Sequence, residues 1–198
     1  KMNLTYDIEM GEKAKIKKIS FIGDKIFKDR KLRGIIVSEE YKFWKFISGK
    51  KFLNQNILEL DERLLKNFYL NKGYYNVKIN SSFAKLISNN NFELIFNIDA
   101  REKFYFANLE LNISDDYNQD DFSKIIKLFD KLEGSPYSIN SIDNVLNLID
   151  DVVISKQFES IKATVEEKID GNKINLFFEV KETEKFFVKR INILGNNV

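Results

Sequence analysis

Catalysis needs side chains that attack, exchange protons or hold metal, and this 198-residue sequence is short of them. It has no histidine and no cysteine. That excludes disulfides, zinc fingers, thiolate nucleophiles, imidazole acid–base chemistry and histidine metal ligation. The densest carboxylate group is Asp115, Asp116, Asp120 and Asp121. It lacks the alternating carboxylates, central glycine and terminal glutamate of a calcium loop, and reads as an acidic helix entry complementing the helix dipole. Glu59, Asp61 and Glu62 read as a solvated helix face, not a catalytic pair. Lys25, Lys28, Arg30, Lys31 and Arg33 form a basic run broken by Asp29, a soluble helix surface rather than a nucleic-acid patch. The sequence shows no nucleophile–base arrangement and no glycine-rich phosphate loop. The expectation is a binding protein, not an enzyme, with no cofactor and no metal.

The residues best suited to non-covalent contact are aromatic. Tyr41, Phe43, Trp44, Phe46 and Ile47 fall within seven positions, closed by Ser48 and Gly49. They form either an exposed hydrophobic contact for a partner or a lid folded back on their own domain. Tyr74 and Tyr75 follow a helix end; one is expected to pack under the helix and the other to face solvent.

The elements that must position these groups occur in repeated order. Leu4, Tyr6 and Ile8 lead through Glu12 and Lys13 to Ile16, Ile19 and Phe21. Leu94, Phe96 and Ile98 lead through Glu102 and Lys103 to Phe106, Leu109 and Leu111. Leu176, Phe178 and Val180 lead through Glu184 and Lys185 to Val188, Ile191 and Ile193. The copies are offset by 90 (94 − 4) and 82 (176 − 94) positions without gaps. Such a period suits small tandem domains better than a solenoid.

Between the first two copies, Phe27, Leu32, Ile35 and Ile36 suggest a short helix, with Asp29 at its N-cap or first turn. Ile57, Leu60, Leu64 and Phe68 form a second helical stripe, capped by Asn54 and ended by Gly73. Leu64 is expected to be buried against the Leu94/Phe96 strand. Val77, Ile79, Ser81 and Phe83 then alternate as a strand, and the chain turns at 88–91 into Phe92–Ile98. The second set repeats the order: a strand over 104–113, a helix carrying Phe122, Ile125, Ile126 and Phe129, and a break at Gly134 and Pro136. A helix carrying Ile142, Val145, Ile149, Val152 and Val153 follows. Phe158, Ile161, Ala163 and Val165 then make a strand, Asp170 and Gly171 a hairpin turn, and Ile174–Val180 its partner.

The fold class is therefore α+β. Two tandem β-α-α-β-β units are expected, each with two helices on a three-stranded mixed sheet. The third strand of each unit is central and the second lies on an edge. An exposed edge offers backbone donors and acceptors to any extended peptide. The candidate partner-binding residues are Val77, Lys78, Ile79, Asn80, Ser81, Ser82 and Phe83 in the first unit, within an edge reaching Lys85. In the second they are Ile161, Lys162, Ala163, Thr164 and Val165, within an edge reaching Glu167.

Composition fits this picture. The chain is 43% hydrophobic and 31% charged, and 32 Lys and Arg against 30 Asp and Glu leave a net charge of +2. So even a balance makes no electrostatic case for nucleic acid or an anionic membrane as the main partner. No apolar run approaches the roughly 20 residues of a membrane helix.

Ile16, Ile19, Phe21 and Gly23, then Phe27 and Leu32, then Leu60, Leu64, Phe68 and Tyr69, then Gly73, Tyr74 and Val77, together resemble POTRA (polypeptide-transport-associated) domains. The order and spacing of these pieces carry the resemblance, and it covers the whole chain. The aromatic segment around Phe43, Trp44 and Phe46 resembles an insertion in the third POTRA of BamA-like outer-membrane assembly proteins. The resemblance implies residues 14–100 as a third-like POTRA and 104–182 as a fourth-like one. Residues 1–11 would be the last strand of a preceding unit and 186–198 the first strand of a following one, as expected of a piece of a longer chain. Gln157, where the first unit has Gly73, and Ile113, where it has Gly23, depart from the pattern. The resemblance further implies a scaffold on the periplasmic side of the bacterial outer membrane, joined to a C-terminal β-barrel. Its partners would be unfolded outer-membrane proteins and accessory lipoproteins, docked by edge-strand pairing. A POTRA array of a two-partner secretion or TamA-like transporter is the alternative. The terminal strands around Leu4–Ile8 and Phe186–Ile193 are expected to pair outside the two complete units.

Overall fold

A computed structural model describes residues 14–42, 52, 54–88, 90–114, 117–156 and 161–182. The chain forms two compact units, each an α+β arrangement with its own three-stranded mixed sheet.

In the first unit β1 (Lys15–Asp24), α1 (Asp29–Arg33), α2 (Gln55–Leu70), β2 (Lys78–Ser88) and β3 (Asn91–Asp99) follow one another. The sheet order is β1-β3-β2. β3 runs parallel to β1, with Ile19 opposite Leu94 and Phe21 opposite Phe96, and antiparallel to β2, with Phe83 opposite Ile95. Alternation along β3 sends Leu94, Phe96 and Ile98 into the core, as a period of two requires. Ile16, Ile19, Phe21, Leu32, Leu58, Leu65, Tyr69, Val77 and Ala100 complete that core. Phe21 stacks on Phe96 at 5.5 Å between ring centroids.

Several expectations for the helices need correction. The buried face of α2 is Leu58, Asp61, Leu65 and Tyr69, one residue on from the expected stripe of Ile57, Leu60, Leu64 and Phe68. Leu65 is fully buried while Leu64 is only half-buried. The physical reason is Asp61, expected on a solvated face but wholly buried. Its carboxylate accepts hydrogen bonds from the Val37 N–H at 2.5 Å and the Ser38 N–H at 3.2 Å. A carboxylate can lie in a core when backbone donors satisfy it, and here it fastens the segment after α1 beneath α2. Asp61→Asn keeps one acceptor oxygen but loses the charge. It is expected to cost about 1–2 kcal/mol, read as a lower denaturant midpoint at unchanged slope.

α1 is shorter than expected: Ile35 and Ile36 lie beyond its end, yet pack half-buried against the core. Asp29 is in its first turn, paired with Lys25 at 2.5 Å. Asn54 caps α2 as expected, its side chain accepting from the N–H groups of Asn56 and Ile57. Gly73, two residues past the C-cap Asn71, has φ +94°.

The second unit comprises β4 (Tyr105–Ile113), a 3₁₀ turn (Gln119–Phe122), α3 (Ser123–Leu132), α4 (Ile139–Ser155), β5 (Ile161–Asp170) and β6 (Lys173–Glu182). Its order, β4-β6-β5, repeats the first. Leu109 lies opposite Leu176 in the parallel pair, and Val165 opposite Phe178 in the hairpin. The core holds Phe106, Phe122, Ile125, Phe129, Ile142, Val145, Ile149, Leu176 and Phe178. Phe129 stacks on Phe178 at 5.4 Å. Ile126, expected on the helical stripe, is instead 46% exposed. The hairpin turn falls one residue later than expected. Asp170 pairs with Lys173, so Gly171, with φ +58°, opens a two-residue loop.

Candidate strand-docking edges

A strand at the end of a sheet order has one side of its backbone unpaired by the sheet. In the first unit β2 holds such a position and in the second β5 does. Both are the outer strands of hairpins, fixed by the turn into β3 or β6.

Of the first candidate set, Lys78, Ile79, Asn80, Ser81, Ser82 and Phe83 lie on β2. Val77 precedes the strand; it is buried in the core, and its N–H donates to the Tyr74 carbonyl at 3.2 Å. Ile79 packs half-buried against the same core, while Lys78 and Asn80 are exposed. Along this edge runs a groove of about 670 Å³. One wall is Val77 and the start of β2, Lys78 to Asn80, and the other is Glu59, Glu62, Arg63 and Lys66 of α2. The groove lies where α2 packs beside the start of β2. Its apolar floor and mixed-charge rim suit an extended segment with alternating side chains.

The second set, Ile161, Lys162, Ala163, Thr164 and Val165, opens β5. Ile161, Ala163 and Val165 are half-buried; Lys162 and Thr164 are exposed. This is the alternation of a strand with one covered face. Phe43, Trp44 and Phe46 lie outside the described residues, as do Asp115, Asp116 and Gln157.

Tyr74 and Tyr75 are both half-buried, which corrects the expectation that one faces solvent. Tyr74 packs edge-on to Phe27 and Tyr69. Tyr75 packs on Phe104 and Tyr137, which belong to the same compact unit. Tyr69 donates its hydroxyl proton to the Lys25 carbonyl. Its burial pushes the phenol above its ordinary pKa, with Tyr74 and Asp24 adding to the effect, so it stays a neutral donor. On the bare face of the first sheet, Glu93 accepts from Lys18 at 2.8 Å and Ser20 at 2.6 Å. These bonds hold its carboxyl below the usual range. Asp121 pairs with Lys156 at 2.7 Å. Within the basic run Lys25 pairs with Asp29 and Arg33 with Glu40, both at 2.5 Å, and Lys31 lies over the Phe68 ring at 5.6 Å. Among the described residues there is no cluster that could hold a metal ion, and no helix long and apolar enough to cross a membrane. Sequence reasoning missed buried Asp61 and the Arg33–Glu40 pair. Both act on backbone far along the chain, where residue spacing carries no signal.

Comparison with known proteins gives a consistent result. The POTRA family model, described as surface antigen variable number repeat, matches residues 14–101. The outer membrane protein assembly factor BamA of Buchnera aphidicola is 26% identical over 195 residues, covering 96% of this chain and 31% of that protein. BamA of Neisseria meningitidis is 23% identical over 199 residues, covering 100% of this chain and 25% of that protein. The chain thus spans a third or less of the length of these curated relatives. Among solved structures, Haemophilus influenzae BamA POTRA3-5 superimposes with a TM-score of 0.64 at 17% identity, over 94% of this chain and 73% of that one. Haemophilus ducreyi BamA lacking POTRA domains 1-3 gives 0.57 at 14% identity, over 85% and 29%. These two likenesses speak to the fold.

Proposed function

We propose that this chain, which carries POTRA domains of the BamA-like kind, is the strand-docking scaffold of an outer-membrane protein assembly machine. Residues 14–100 are the third-like POTRA and 104–182 the fourth-like one. Residues 1–11 complete a preceding unit and 186–198 begin a following one. The scaffold works in the periplasm, tethered to a C-terminal β-barrel, and takes no part in covalent chemistry. Its partners are unfolded outer-membrane proteins and accessory lipoproteins. They add as a further strand along Lys78–Lys85 of β2 or Ile161–Glu167 of β5.

One observation carries this reading. Among the described residues each unit leaves its hairpin strand paired by the sheet on one side only, and in the first a groove runs beside the start of that strand. Backbone pairing places little demand on a partner's sequence, which suits a machine with many clients. Neighbouring residues of a strand direct their N–H groups to opposite sides. Proline at Ser82 and at Phe83, tested separately, therefore removes one outward and one ladder donor. The outward variant is expected to weaken binding of an unfolded client or lipoprotein about tenfold, the scale of one or two net hydrogen bonds. Its far-UV circular dichroism should stay native. The ladder variant should lose stability instead. Full client affinity in both variants, with the fold intact, would sink edge docking at β2.

A further inference from the structure

The first sheet has two edges, and β1 is the other one. The outward side of β1 is already occupied by the chain itself. The Ile16 carbonyl accepts from the Tyr41 N–H at 2.6 Å. The Ile19 N–H donates to Glu40 Oε1 at 3.0 Å, and the Ile19 carbonyl accepts from Arg33 Nη2 at 2.6 Å. The Phe21 carbonyl accepts from Lys25 Nζ at 2.8 Å. Arg33 Nη1 and Glu40 Oε1 are themselves paired at 2.5 Å. One guanidinium and one carboxylate thus present to Ile19 the donor and acceptor that a neighbouring strand would supply.

The second unit covers the position equivalent to Ile16 in the same way. Phe106, which stands where Ile16 stands in the first, donates its N–H to the Ser135 carbonyl and accepts from the Gly134 N–H, both at 2.9 Å. Here backbone between the two helices does the covering. Backbone between the helices thus covers the start of the first strand's edge in both units, and in the first the Arg33–Glu40 pair extends that cover to Ile19.

We propose that Arg33 and Glu40 close the β1 edge to strand addition and so make β2 the edge at which the first unit accepts a partner. With the pair removed, a second copy of this chain adds across β1 at Ile19. The consequence for client docking rests on the function proposed above; the closure of β1 does not. An unpaired edge amide exchanges quickly with solvent. In the 198-residue chain the Ile19 amide is expected to exchange at least about tenfold more slowly than an unprotected one. In the double variant Arg33→Met, Glu40→Leu that protection should vanish at low concentration. The sedimenting mass should rise toward that of a dimer as concentration increases. Lys18→Met, Glu93→Leu, which removes an ion pair from the sheet face instead of its edge, should stay monomeric and keep Ile19 protected. A fast-exchanging Ile19 amide in the unmodified chain overturns the proposal whatever the fate of the variant. So does a folded double variant that remains monomeric with Ile19 still protected. If both proline variants of β2 bind clients normally while these results hold, the docking reading fails and the closed edge stands.

Discussion

Leu65→Ala is expected to cost the first unit about 3–5 kcal/mol, and Leu64→Ala about 1 kcal/mol or less. Leu65 is fully buried in the core that also holds Leu94 and Phe96, so truncation leaves a cavity the sheet cannot fill. Leu64, one position earlier, is half-buried, and its removal sheds methylenes that water already reaches. For a unit of this size, 3 kcal/mol lowers the melting temperature by roughly 12–24 °C. Both variants belong in one thermal series with the parent. Equal losses would mean that α2 is rotated by about one residue from the face seen here.

Gly23→Ala is the second large expected loss, about 3 kcal/mol or more. Gly23 has φ +85°, and a Cβ there would lie 2.4 Å from the Ile98 carbonyl oxygen. The backbone conformation alone costs a non-glycine residue about 1–2 kcal/mol. The contact adds to this, because the carbonyl belongs to β3, which β1 must pair with. Gly171→Ala separates the two contributions. Gly171 also has positive φ, at +58°, but nothing lies within 4 Å of its would-be Cβ. Its variant should pay the conformational part only. If Gly23→Ala costs no more than Gly171→Ala, each measured on its own unit, the β1–β3 approach is looser than described.

The strands were legible in the sequence because their signal is local. Phe92, Leu94, Phe96 and Ile98 alternate with polar or half-buried neighbours, and a period of two admits one covered face. The repeat then lends each strand the support of its copies. The helices were legible as helices. The rotation of α4 was legible too, its stripe of Ile142, Val145 and Ile149 being the buried face, but that of α2 was not. An apolar stripe cannot include Asp61, so the pattern settles on Leu64 and not Leu65. What reverses it is a pair of backbone N–H groups at Val37 and Ser38, more than 20 positions away. The position of β2 and β5 at the sheet ends followed from topology, since β-α-α-β-β order leaves the hairpin strand outermost. The closed edge was invisible for a related reason. Arg33 and Glu40 are seven residues apart, and what joins them is Ile19, on another element.

The parallel pairing of β1 with β3 also bears on how the protein is made. Ile16 lies opposite Phe92, 76 positions later (92 − 16). At a synthesis rate of about 5–20 residues per second, β1 leaves the ribosome roughly 4–15 s before its partner exists. Loop closure over that distance is slow beside the β2–β3 hairpin, so β1 docks last. Throughout that interval Ile16, Ile19 and Phe21 have no sheet to enter. The nascent chain therefore carries, early and for seconds, the kind of exposed apolar strand that holdase chaperones bind.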